Sequence, residues 1–88
     1  MLPEDKLAET NPLDIIAECI GKCKSTTDRE QIAHYIAEAL GFLQIEDSEE
    51  DAFNMLGNAI VQAANTDQQR CSVLLSVWNE LEQERRAP

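Results

Sequence analysis

Four times along this chain a short polar cluster stands directly before a run of apolar residues spaced near 3.6, and this repeated start signal restricts the fold more than any other feature. Asn11 followed by Pro12 sets an N-capping side chain before proline at the first helical position. The helix it opens runs to about Lys24, with Leu13, Ile16, Ile20 and Cys23 in one stripe and Ile15 and Cys19 widening it. Thr27 and Glu30 fit the capping box S/T-x-x-E and open a second helix to about Leu43, along Ile32, Tyr35, Ile36, Ala39, Leu40 and Leu43. Gln44 to Asp47 reads as a connection. Ser48 then caps a third helix to about Asn65, with Phe53, Leu56, Ile60 and Ala63 inward and Met55, Ala59 and Ala64 beside them. In its middle, Gly57 either costs about 1 kcal/mol relative to alanine or lets another helix come close. Thr66 and Gln69 repeat the capping box, and the fourth helix continues to about Arg86 along Cys71, Leu74, Leu75, Trp78 and Leu81. Val73 and Val77 fall outside that stripe, so this helix is apolar over a wider arc. It is either central or meets a partner.

Short connections turn consecutive helices back on one another. The pattern therefore predicts an all-α fold, a four-helix bundle built from two antiparallel helical hairpins. Residues 11–88 are expected to form one helical-bundle domain, preceded by an N-terminal arm over residues 1–10. A chain of 88 residues buries roughly 64% of its extended surface, which gives a real but small core. Pairing of two copies would enlarge that core, so a homodimer is a further expectation. Thr27-Asp28-Arg29-Glu30 and Thr66-Asp67-Gln68-Gln69 also give the two halves a loose internal likeness.

Composition narrows the function classes. Seventeen acidic and 7 basic residues leave a net charge of −10, while an apolar content of 43% is too high for a disordered acidic tail. Phosphate binding draws on clustered Lys and Arg, and only Arg85 and Arg86 are adjacent, so neither direct nucleic acid binding nor an anionic membrane surface is expected. No run approaches the ~18 apolar residues of a membrane span, and the acidic start of the chain is unlike a secretory signal. Three cysteines without a disulfide framework fit a reducing, cytoplasmic setting. The partner these features suit is another protein with a basic or apolar surface.

Two surfaces are candidate binding sites. The run Glu46, Asp47, Ser48, Glu49, Glu50, Asp51 forms an acidic edge, although carboxylates in a first helical turn are each favoured by about 0.3 to 1 kcal/mol through the helix dipole alone. Nine of the acids fall in expected first turns, and the remaining eight nearly balance the seven basic residues. The second surface lies on the fourth helix, where Val73 and Val77 are followed by Glu80 and Glu84. That like-charge i, i+4 pair sits late in a helix, where dipole and neighbour both disfavour acids. A stripe that is first apolar and then acidic suits an apolar groove with a basic rim.

Covalent chemistry has weaker support. Cys19, Cys23, Cys71 and His34 supply metal-ligand types without the tight C-x2-C spacing of a structural zinc site. A Cys/His nucleophile would further need an orienting group and an oxyanion site, and no motif supplies either. His34 stands between Glu30 and Glu38 as a solvated side chain with acidic neighbours. Asp47-Ser48 resembles the prosthetic-group attachment site of acyl carrier proteins, which implies a phosphopantetheine-bearing Ser48. The likeness covers two residues, and the carrier motif continues with an apolar residue where Glu49 and Glu50 stand here. No metal, cofactor or enzymatic activity is expected. The sequence favours a small acidic helical interaction module: an adaptor, anti-activator or inhibitor that occupies a surface of a protein partner. The alternative is a nucleic-acid-mimicking inhibitor of a DNA- or RNA-binding protein or nuclease, whose binding would weaken steeply with salt.

Overall fold

A computed structural model describes residues 11–86; the expected arm over residues 1–10, and residues 87–88, lie outside the described residues. It is all-α, with helices α1 (Pro12–Lys24), α2 (Arg29–Leu43), α3 (Glu49–Thr66) and α4 (Gln68–Arg86). Every helix touches the other three, as in a bundle. Among the described residues no helix is long and apolar enough to cross a membrane.

The helix starts follow from the capping chemistry, with two shifts of position. Asn11 Oδ1 accepts the Leu13 N–H at 2.8 Å, and Ser48 Oγ accepts the Asp51 N–H at 3.1 Å, both at the expected caps. At α2 the cap is Asp28 instead of Thr27. Its Oδ1 accepts the N–H groups of Glu30 and Gln31 at 3.0 and 3.3 Å, while Thr26 Oγ1 accepts the Asp28 N–H at 3.1 Å. The same correction holds before α4. Asp67 Oδ1 accepts the Arg70 N–H at 3.4 Å, whereas Thr66 ends α3 with its hydroxyl donated back to the carbonyls of Gln62 and Ala63. A carboxylate directly after each threonine is the stronger acceptor for orphan N–H groups, so it displaces the hydroxyl.

One continuous core runs through Ile16, Ile20, Ile32, Ile36, Leu40, Leu43, Leu56, Ile60, Leu74 and Trp78, together with buried Cys19, Cys23 and Cys71. Leu13 departs from its expected stripe and is 70% exposed, because it sits in the first turn of α1, ahead of the buried run that begins at Ile16. In α3 the centre of the buried face is Ala52, Leu56, Ile60 and Ala64, with Phe53 and Ala63 half-buried at its side. Trp78 is 2% exposed and lies against Gly57, where an added Cβ would meet its Cζ2 at 3.0 Å. Of the two roles open to Gly57, the structure gives it close helix approach. Phe53 stacks obliquely on the indole at 5.1 Å between ring centroids, and the Arg85 guanidinium lies 4.4 Å above the Phe53 ring.

Candidate functional site

The α4 stripe is not the open surface that its sequence suggests. Val77 is 4% exposed and belongs to the core, so its place in a partner-binding stripe is corrected: the wide apolar arc of α4 is covered within the chain. Val73 is half-buried against the same core. Glu80 is also not left without a cation. Arg29 at the start of α2 donates to Glu80 Oε1 at 2.7 Å and to Ser76 Oγ at 3.2 Å, which ties α2 to α4. Glu82 pairs with Arg86 as the i, i+4 spacing suggests, at 3.6 Å. Glu84 is exposed and makes no ion pair among the described residues. The structure thus separates Val77 from Glu84 and brings Val73, Val77 and Glu80 into intramolecular roles.

The open apolar surface lies instead between α1 and α2. Ile15, Glu18, Cys19 and Lys22 of α1 face Tyr35, Glu38, Ala39 and Phe42 of α2, with Ile45 of the following connection, around a groove of about 550 Å³. Both walls repeat the spacing i, i+3, i+4, i+7, which places four side chains in line along one flank of a helix. Cys19 and Ala39, small and nearly buried, leave depth at the floor. Phe42 is 55% and Ile45 75% exposed, large for apolar side chains on so small a protein. The sequence pattern does not disclose this site, since Gln44 to Asp47 reads there only as a connection. The available signal was Phe42, which falls off the α2 stripe, followed three residues later by Ile45.

One part of the groove is ionic. Lys22 Nζ lies 3.4 Å from Glu18 and 3.7 Å from Glu38, and stands 5.6 Å from the centroid of the Tyr35 ring. The hydrogen bond and charge of Glu18, reinforced by Glu38, raise the Lys22 pKa above its ordinary value of 10.5. At the floor, Cys19 Sγ donates to the Tyr35 carbonyl at 3.5 Å. The Cys23 thiol beside it lowers the Cys19 pKa by hydrogen bonding, with Lys22 adding to the effect, and that same bond, with burial, pushes Cys23 strongly up.

The acidic edge begins, in the chain, next to Ile45 of the groove. Ile45 is followed directly by Glu46 and Asp47, and Glu49, Glu50 and Asp51 form the first turn of α3. Glu49 accepts from Arg85 Nε at 3.4 Å; among the described residues Glu46, Asp47, Glu50 and Asp51 make no ion pair. No Lys or Arg occurs anywhere between Arg29 and Arg70. Among the described residues no group of three His, Cys, Asp or Glu side chains is placed to hold a metal ion. His34 is exposed and lies outside the groove, and the Ser48 oxygen is engaged as the cap of α3. Comparison with protein-family models, with curated proteins and with solved structures returned no match.

Proposed function

We propose that this chain is a small protein-interaction module that acts by occupying a surface of a protein partner and carries out no covalent chemistry of its own. Its frame is read as two antiparallel hairpins, α1–α2 and α3–α4. The contact of Arg85 late in α4 with Glu49 early in α3 supports that pairing, as do the short connections, four residues between α1 and α2 and one between α3 and α4.

The observation that carries the functional reading is the exposure of Phe42 and Ile45 beside the α1/α2 groove. Burying a side chain of this size completely is favourable by about 1.5–3 kcal/mol. Covering the remaining half of Phe42 and three quarters of Ile45 therefore makes roughly 2–4 kcal/mol available, or about 30- to 700-fold in affinity. That is enough for these two side chains to anchor an interface. The thiol lining the groove, Cys19, is buried and donates to the Tyr35 carbonyl at 3.5 Å, an arrangement that supports packing and not base-assisted attack.

Site-specific photocrosslinking tests the reading. A benzophenone side chain replaces Phe42, Ile45 or Val61 in the full chain within its own host, Val61 being an exposed apolar residue outside the groove. One protein adduct common to positions 42 and 45 and missing at 61 is the expected result. Adducts at neither groove position, or the same adducts at all three, would defeat it.

A further inference from the structure

We infer that the groove takes an amphipathic helix from a partner protein, with apolar residues at i, i+3/i+4 and i+7 seated between α1 and α2 and a cluster of Lys or Arg at one end lying over the Glu46–Asp51 edge. This deepens the interaction reading and rests on it. The argument for the occupant is complementarity. Two helical flanks of matching i, i+3, i+4, i+7 spacing enclose a groove with small residues at its floor, the shape that accepts a third helix by its apolar ridge. Lys22, the one base lining the groove, is already held between Glu18 and Glu38. After Ile45 the chain turns acidic: Glu46, Asp47, Glu50 and Asp51 make no ion pair among the described residues, and Arg85 answers Glu49 alone. A helix whose cations reach Glu46 and Asp47, which directly follow Ile45, gains complementary charge there, and that charge favours one orientation and speeds association. A second copy of this chain is disfavoured as occupant by the same charges, since each copy carries −10 and would bring its acidic edge against another.

The test is a selection from displayed random 16-residue peptides on the full-length chain, with counter-selection on the Phe42→Glu, Ile45→Glu double variant. Both positions are exposed, so the double variant keeps its helices by circular dichroism; Phe42→Ser, Ile45→Ser replaces it if it does not. The expected winners carry apolar residues at helical spacing with Lys or Arg grouped at one end. They bind the wild type at least tenfold more tightly than the double variant, and lose about tenfold on Glu46→Lys, Asp47→Lys, more at low salt than at high. Winners that discriminate the double variant but are neutral or acidic would overturn the basic-helix assignment and leave the interaction reading standing. No peptide that discriminates the double variant would defeat both. Enrichment seen only after Leu2 and Leu7 are replaced by serine would make this chain's own first residues the occupant. A groove-dependent dimer in sedimentation at micromolar concentration would make it a second copy. Either result overturns the proposal.

Discussion

Replacing Gly57 by alanine sets two well-known effects against each other at one position. Alanine is favoured over glycine inside a helix by about 0.8–1 kcal/mol. A Cβ at Gly57, however, would meet Trp78 Cζ2, Nε1 and Cε2 at 3.0, 3.2 and 3.3 Å. Those three atoms belong to one rigid indole held at 2% exposure with Phe53 on it, so the ring has little room to retreat. Overpacking of this kind costs about 1–3 kcal/mol. The steric term therefore wins, and Gly57→Ala should destabilise by roughly 1 kcal/mol, lowering Tm by about 4–8 °C for a domain of this size. Gly21 and Gly41 are the internal controls, because a Cβ at either meets nothing within 4 Å. Gly21→Ala and Gly41→Ala should each stabilise by about 0.5–1 kcal/mol. The measurement is thermal and urea unfolding followed by helical circular dichroism. A Gly57→Ala variant that gains stability in step with the two controls would refute the close approach of α3 to Trp78. A double-mutant cycle sharpens the result: in a Trp78→Phe background the benzo ring that carries Cζ2 is gone, and the alanine should cost about 1 kcal/mol less.

Three further outcomes follow from the caps, the ion pairs and the thiols. Asp28→Ala should lose about 1 kcal/mol while Thr27→Ala stays within about 0.5 kcal/mol of the parent, and equal losses in urea unfolding would return the α2 cap to the threonine. The exposed Arg29–Glu80 pair should show a coupling of about 0.2–1 kcal/mol in a double-mutant cycle, shrinking in about 1 M salt, where screening acts over roughly 3 Å. Among the cysteines, Cys19 should be alkylated first, since it lines the groove and its pKa is lowered from 9.0 while that of Cys23 is raised. Its rate should accordingly climb at lower pH than for an ordinary thiol, and Lys22→Met should move that climb upward; peptide mass mapping that finds Cys71 modified first would contradict the placement.

The helices were legible because each has a local cause. Asn11-Pro12 and Ser48 act where their chemistry says, and α2 buries five of its six expected stripe residues, with Tyr35 left half-buried. The misplaced caps share one reason: a capping-box pattern counts Thr and Glu or Gln at a fixed spacing, but Asp28 and Asp67 lie next to those threonines and accept better. Leu13 shows the complementary error. Periodicity assigned it to the buried stripe by angle, but at the first turn the buried run has not yet begun, and the side chain stays in water.

The surface was less legible, because angle around a helix gives the direction of a side chain and not what lies across from it. Val77 and Phe42 are both apolar residues at the margin of their stripes. Val77 is closed off by the rest of the chain, as is Glu80 by an arginine fifty-one positions earlier in sequence, and neither covering group is visible in the local pattern. Phe42 lies at the groove between α1 and α2, where Cys19 of α1 and Ala39 of α2 are too small to fill the space. Stability alone favours larger apolar residues at those two floor positions, since filling a cleft is a common route to added stability. The acidic edge has a similar history of two causes. First-turn placement explains why Glu49, Glu50 and Asp51 are tolerated, yet it does not explain the absence of any Lys or Arg from Glu30 through Gln69. An apolar groove followed in the chain by a run of carboxylates, of which only Glu49 has a cation among the described residues, is the combination that local helix energetics leaves over, and an external cationic helix would satisfy both parts at once.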